Sequence, residues 1–284
     1  MKRSPQPLWA VLALFGLGVT GCASSPDKTA TDVVDTQVVL RQADALLHRD
    51  PRIEELMINE GQKCMKERGF EVHGPLPLIQ TASVGEILAR IGADLTVEKA
   101  RDVGYGSNEF VPENSPLSSW SQEAKDAYFG TFRGAVVKAS IMELGSIPAD
   151  GCRTQALDRA FGSAPDGLFY AAFPSRLAEK AMNEANTHNA DEIDRLAERW
   201  QECMALRGET RFESWVNTNI EALKNQGSLK ELAVKDAECR QEIGFRQFWT
   251  EKFARQFAHE MKKHEKEVLA YQEIEKRALE KAKP

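Results

Sequence analysis

Lys63-Cys64-Met65-Lys66-Glu67-Arg68-Gly69 and Glu202-Cys203-Met204-Ala205-Leu206-Arg207-Gly208 are two copies of one pattern, Cys-Met-x-x-x-Gly. Each is followed downstream by a Cys-Arg pair, Cys152-Arg153 after the first and Cys239-Arg240 after the second. Once Cys22 is set aside, these are the remaining cysteines of the five in the 284-residue chain. The first copy reads as the end of a helix. Asp50 is a good N-cap, and Pro51 fits the first helical position, where its missing N–H is no loss. Glu54 and Glu55 lie in the early turns and Lys63, Lys66 and Arg68 near the end, which suits the helix dipole at both termini. Ile53, Met57, Cys64 and Met65 mark a buried stripe, and Gly69 is the C′ glycine where the chain turns left-handed. The second copy has the same layout. Asn189 stands as far before Gly208 as Asp50 stands before Gly69, with Leu196 and Cys203 in the places of Met57 and Cys64. An ancient duplication and a shared structural device both account for the match.

The amino terminus bears on the compartment. Lys2 and Arg3 form a basic n-region, and Leu8 to Val19 is an apolar run of about 12 residues, too short to span a bilayer and right for a signal peptide. It ends in Val19-Thr20-Gly21-Cys22, the small-residue shape of a lipoprotein cleavage box. Its resemblance to bacterial lipoproteins implies removal of residues 1–21 and lipidation of the Cys22 thiol. The simpler alternative is an ordinary signal peptide cleaved near Ala23. Two acyl chains would hold the protein stably at the membrane where one would be marginal. Residues 22–35 read as a flexible tether, and residues 36–284 as the body, long enough to bury a proper core.

The four body cysteines read as two disulfides, because an even set in an exported chain usually pairs. Three pairings are possible. Cys64–Cys152 and Cys203–Cys239 are favoured, each joining a Cys-Met helix to the next Cys-Arg helix in its own half. A single zinc site made by all four is the competing reading, but it lacks the close pairs such sites use. No Cys-x-x-Cys is present for redox chemistry.

The rest of the body reads as helices. A first helix is expected over 36–48, short ones over Ser83–Ile91 and from Thr96 to Gly104-Tyr105-Gly106, and one opened by a Ser119-x-x-Gln122 capping box and running to Phe129. Residues 133–151 hold an apolar run broken by Gly145 and Pro148, and Arg211 to Val216 reads as a brief strand or turn. Further helices follow from Arg153 to Phe161 and, after Pro174, from Ser175 to Ala185. Ser228-x-x-Glu231 opens a long helical tract over 229–281, in which Phe245, Trp249, Phe253, Phe257 and Met261 recur every fourth residue as one broad aromatic face. The charged last third of that tract is expected to overhang the body, where it would offer a contact for another envelope protein. The fold class is therefore mainly α: a disulfide-stapled helical domain with two similar Cys-Met/Cys-Arg halves, 50–161 and 175–284, and a long C-terminal helix.

Other chemistry is thinly signalled. His259 and His264 are five apart, about 140° around a helix, whereas a zinc-peptidase helix needs them four apart. His259-Glu260-Met261-Lys262-Lys263-His264 is read as solvated surface. Gly104-Tyr105-Gly106 lacks the setting of a phosphate loop, and no nucleophile elbow occurs. A net charge of −6 without a clustered basic face argues against nucleic acid as a partner. No catalytic, cofactor-binding or metal-ligating residue is assigned, and no cofactor.

Taken with the lipobox, Cys64-Met65-x-x-x-Gly69-Phe70, Val103-Gly104-Tyr105-Gly106 and Ala237-Glu238-Cys239-Arg240-Gln241-Glu242 make the chain resemble uncharacterised secreted lipoproteins abundant in actinobacteria. Glu209 stands where an aromatic is usual, and residues 133–151 look like an insertion. The resemblance implies no activity and strengthens the disulfide reading. The functional expectation is a lipid-anchored envelope accessory or binding protein, non-enzymatic. The alternative is an envelope hydrolase or ligand-binding enzyme using carboxylates in an inter-helical groove.

Overall fold

A computed structural model of the chain describes residues 35–72, 76–79, 82–105, 116–216, 218 and 230–283. Cys22, the leader, most of the tether, Gly106 and Ser228 lie outside the described residues.

Local sequence starts and stops most of the helices. α1 (Thr36–Leu47) is capped by Asp35, whose carboxylate accepts the N–H of Gln37 and Val38. α2 (Pro51–Glu67) begins as its sequence dictates, with the Asp50 carboxylate taking the N–H of Arg52 and Pro51 in the first turn. Ser83 and Glu86 close a reciprocal capping box at the head of α3 (Val84–Arg90), and Thr96 caps α4 (Val97–Val103), which ends at Gly104 with φ +69°. α5 (Gln122–Phe129) is capped by Ser121, not by the Ser119 that the capping-box spacing singled out; Ser119 ends a short 3-10 turn, Pro116–Ser119. β1 (Val136–Lys138) and β2 (Ser146–Pro148) form a small antiparallel pair, with Val137 opposite Ile147, from the apolar run of 133–151.

α6 (Cys152–Phe161) is followed almost at once by α7 (Ala164–His188), then α8 (Ala190–Leu206). The helix expected to begin at Ser175, after Pro174, in fact begins at Ala164 and runs through the proline. Ser163 caps it, accepting the N–H of Asp166, and Pro174 is buried in its interior. A buried proline mid-helix withholds one N–H from the ladder, here the partner of the Tyr170 carbonyl. Core packing on both sides of the helix outweighs that loss.

Both copies of the opening pattern end in the same way. The N–H of Gly69 bonds to Lys66 O and that of Phe70 to Met65 O; the N–H of Gly208 bonds to Ala205 O and that of Glu209 to Met204 O. Each is a Schellman motif around a glycine at φ +84° or +78°. Met65 and Met204, which supply the accepting carbonyl, are fully buried. An arginine at the C-cap, Arg68 or Arg207, is also common to both. The starts differ: Asn189 does not cap α8 through its side chain but turns back, donating from Nδ2 to Ala185 O at 2.6 Å.

The C-terminal tract is helical as expected but divided. α9 (Lys230–Glu242), α10 (Phe245–Lys263) and α11 (Glu265–Lys281) are separated at Gly244, with φ +71°, and at His264. The last third does not overhang. Val268, Tyr271, Ile274 and Ala278 of α11 are buried, and the helix packs on α7, α6 and α2. Their spacing puts them on one helical face, which a charge-rich composition hid. Phe245, Trp249, Phe253 and Phe257 are likewise core, with α10 laid on α7 and α1. The two Cys-Met/Cys-Arg pairings, α2 with α6 and α8 with α9, share one main hydrophobic core that also takes α1, α7 and the whole C-terminal tract. α7 crosses the interval between the two expected halves.

Candidate functional site

The segment joining α1 to α2 places an exposed histidine beside a buried arginine. His48 and Asp50 have extended backbones; His48 is exposed and Arg49 is only 4% exposed. The Arg49 Nη2 donates to Ile79 O and, at 3.1 Å, to Ala171 O. The second carbonyl adjoins the one that Pro174 leaves without an N–H, so Arg49 ties the strap at 76–79 to the proline turn of α7. Burial pulls its guanidinium below the usual range, and Tyr170, Tyr271 and Glu54 partly offset that.

Above Arg49 opens a cleft of about 400 Å³ whose polar lining includes Asp44, His48, Glu54, Ser83 and Glu86. Its size falls in the range of small-ligand sites. Its carboxylates already have structural duties. Asp44 accepts the N–H of Val84 at 3.1 Å, and Glu86 accepts the N–H and hydroxyl of Ser83 at 2.7 and 2.9 Å. The backbone N–H of Ser83 holds the Glu86 carboxyl below its ordinary value, which keeps it ionised. Asp44 and Glu86 are exposed and Glu54 half-buried. The cleft therefore sets carboxylates around a buried arginine, Glu86 among them held below its ordinary value, and lacks the buried carboxylate pair that the hydrolase alternative calls for.

Arg49 also lines a second, smaller pocket, shared with Arg153, Tyr128, Leu78, Ile79 and apolar side chains of α2, α6 and α7. Arg153 follows Cys152 in the first turn of α6 and lies over the Phe129 ring, 5.1 Å from its centroid. Burial pulls the Arg153 guanidinium down and pushes the Tyr128 hydroxyl up to about 12. The Tyr128 hydroxyl donates to Pro77 O at 3.0 Å.

The buried carboxylates of the molecule are elsewhere. Asp236, fully buried in α9, accepts from Trp200 Nε1 at 2.8 Å, from Arg240 Nε and Nη2 at 2.8 Å each, and from Thr218 Oγ1 at 3.2 Å. Arg240 in turn donates from Nη1 to Gly92 O at 2.9 Å and lies over the Phe245 ring, with 5.1 Å to its centroid. Four donors converge on this one carboxylate, and the knot ties α8 to α9. Glu260 in α10, assigned from sequence to the solvated surface with its neighbours, is 1% exposed. Burial pushes its carboxyl up, but the Lys180 ammonium 3.0 Å away outweighs that and holds it below the ordinary range. His264, at the break before α11, is half-buried between Glu260 and Glu267 at 3.4 and 3.6 Å, while His259 is exposed as expected.

The cysteines bond as the favoured pairing has it. Cys64–Cys152 staples α2 to α6 with Cα atoms 5.5 Å apart, and Cys203–Cys239 staples α8 to α9 at 5.6 Å. All four are buried. That excludes the competing four-cysteine zinc site, and among the described residues no group of three or more His, Cys, Asp or Glu is placed to hold a metal. No helix among them is long and apolar enough to cross a membrane. Sequence reasoning missed Arg49, Asp236 and Glu260. The one local signal was the Arg after each of Cys152 and Cys239, each of which covers a Phe ring.

No protein-family model, curated protein or solved structure matches the chain.

Proposed function

We propose that the chain is a lipid-anchored accessory or binding protein of the bacterial cell envelope, tethered through Cys22 and belonging with the secreted lipoproteins its motifs resemble. Support comes first from the two buried disulfides, Cys64–Cys152 and Cys203–Cys239. Such bonds form and persist outside the reducing cytosol. The leader ending in Gly21-Cys22 supplies the matching export route. The cleft over Arg49 is the place where such a protein would hold a small polar ligand carrying a cationic group, because its rim presents the side chains of Asp44, Glu54 and Glu86, the last held below its ordinary value. A protein partner among the envelope components would meet the outward, charged faces of the body, since the apolar face of α11 is buried inside.

The test is acyl labelling. In a bacterial host fed an alkyne analogue of palmitate, the wild-type chain is expected to take up label and to sediment with membranes. Cys22→Ser should take up none and leave a longer precursor. Equal labelling of the two, or a wild type that is never labelled, overturns the anchor.

A further inference from the structure

Seven large hydrophobic side chains are exposed among the described residues, and three of them, Phe132, Val136 and Ile141, fall within ten residues at the β1–β2 hairpin. Apolar side chains standing singly at a surface need no explanation; three on one small element do. Val137 and Ile147 pair across the hairpin and turn onto the main core, where Ala139, Met142 and Leu144 also pack. Val136, Lys138, Ile141 and Glu143 alternate with them along the chain and are exposed, as the side-chain period of an extended segment requires. Phe132, just ahead of β1, is 74% exposed. The Ser140 N–H donates to Pro165 O at 3.2 Å and fixes the connecting loop to the start of α7. The outward apolar side chains are thus held in place by the fold.

Charge and size say what meets them. Between Thr131 and Ala149 the charged residues are Arg133, Lys138 and Glu143, all exposed, a local balance of one positive charge in a chain of net charge −6. Asp150, at the hairpin's base, is engaged by Thr131, whose N–H and hydroxyl it accepts at 3.0 and 3.1 Å. A stable protein interface takes about 20–30 residues a side, more than this one hairpin presents. A bilayer interface asks for less: an aromatic ring and a few aliphatic side chains enter the acyl boundary, and long cationic side chains stay among the phosphates. Cys22 stands 13 residues before Asp35, so a lipid there keeps the start of α1 within about 45 Å of the membrane surface. That reach is about the diameter of the body, and a weak contact then suffices to decide which face turns to the lipid. We propose that the outward side of the β1–β2 hairpin docks on an anionic bilayer surface, with Phe132, Val136 and Ile141 entering it and Arg133 and Lys138 on its phosphates. This rests on the anchor at Cys22.

Fluorescence quenching on vesicles tests this. The acylated chain carrying Phe132→Trp is reconstituted into vesicles of phosphatidylcholine and phosphatidylglycerol, with and without bromine on the acyl chains, and only the fraction that floats with lipid is measured. Trp200, Trp215 and Trp249 are buried, and the emission of the wild-type chain is subtracted as background. The emission from position 132 is expected to fall at least twofold with brominated lipid. Ile141→Ser in the same chain should weaken the quenching, and Arg133→Gln or Lys138→Gln should each lower the ratio of docked to undocked protein on the order of fivefold. A chain that floats but shows no more quenching than wild type overturns the docking and leaves the anchor standing. A chain that does not float overturns the anchor and the docking with it. Emission from position 132 that shifts to the blue with protein density, unquenched by bromine, assigns the hairpin to a second copy of the chain and overturns the proposal.

Discussion

Asp236 has every lone pair in use, and its substitution therefore reports on more than one contact. Asp236→Ala takes from Arg240, itself 2% exposed, the carboxylate it bonds at 2.8 Å through Nε and Nη2, and leaves Trp200 Nε1 without its acceptor. Breaking one side of a buried ion pair costs about 3–5 kcal/mol, so urea unfolding of this variant should show a midpoint far below wild type with an unchanged slope. Glu275 shows the opposite behaviour. Burial raises its carboxyl above the ordinary value, although the Tyr170 hydroxyl 3.2 Å away favours the charged form. A folded-state value above the unfolded one means the protonated carboxyl is favoured by folding. That contribution is complete below the unfolded value near pH 4 and is lost as pH rises through the folded one. Glu275→Gln, which keeps an acceptor for Tyr170 without the charge, should therefore unfold at a higher temperature than wild type at pH 7. The gap should close as pH falls to about 4. A constant gap across pH would show that the carboxylate is not destabilised by burial.

At the scale of the element, each staple links two helices that meet only through tertiary packing. The sequence separations are 88 for Cys64–Cys152 and 36 for Cys203–Cys239. The chain-entropy relation then gives about 4.5 and about 4 kcal/mol of stabilisation respectively. Either amount rivals much of a domain's net stability of about 5–15 kcal/mol. Replacing each pair by alanines should lower unfolding stability by that order, with Cys64/Cys152 the more damaging; chemical denaturation of the two double variants checks both amount and order. The helices themselves were legible where their determinants are local. Asp50-Pro51, Thr96 and the glycines after each Cys-Met pair act within one turn, whereas Ser119 has the capping-box spacing and yields the cap to Ser121. What was not legible depends on distance along the chain. Arg240 meets Gly92 across a separation of 148 residues, and Arg49 meets Ala171 across 122. No spacing rule reaches that far. Pro174 was misread for a related reason: propensity ends a helix there, and packing on both faces carries it through.

For the molecule as a whole, the C-terminal residues settle how the body holds together. Their charge made α11 read as an overhang, yet it closes the main core from the far end of the chain. Tyr271 stacks on Tyr170 with ring centroids 4.7 Å apart and reaches toward Leu46 O, touching α7 and α1 at once. Val268 and Ile274 lie on the same buried face. Fully burying a large apolar side chain is worth about 1.5–3 kcal/mol, so removing these three together forfeits about 5 kcal/mol or more. It also uncovers Tyr170 and Phe173, which are otherwise fully buried. A chain ending at Lys263 should therefore lose cooperative unfolding and become sensitive to limited proteolysis, even with both disulfides intact. A truncated protein that kept the wild-type transition would return α11 to the role of a free arm. Loss of the transition would mean instead that a partner can be sought only on the outer faces of a body this helix completes.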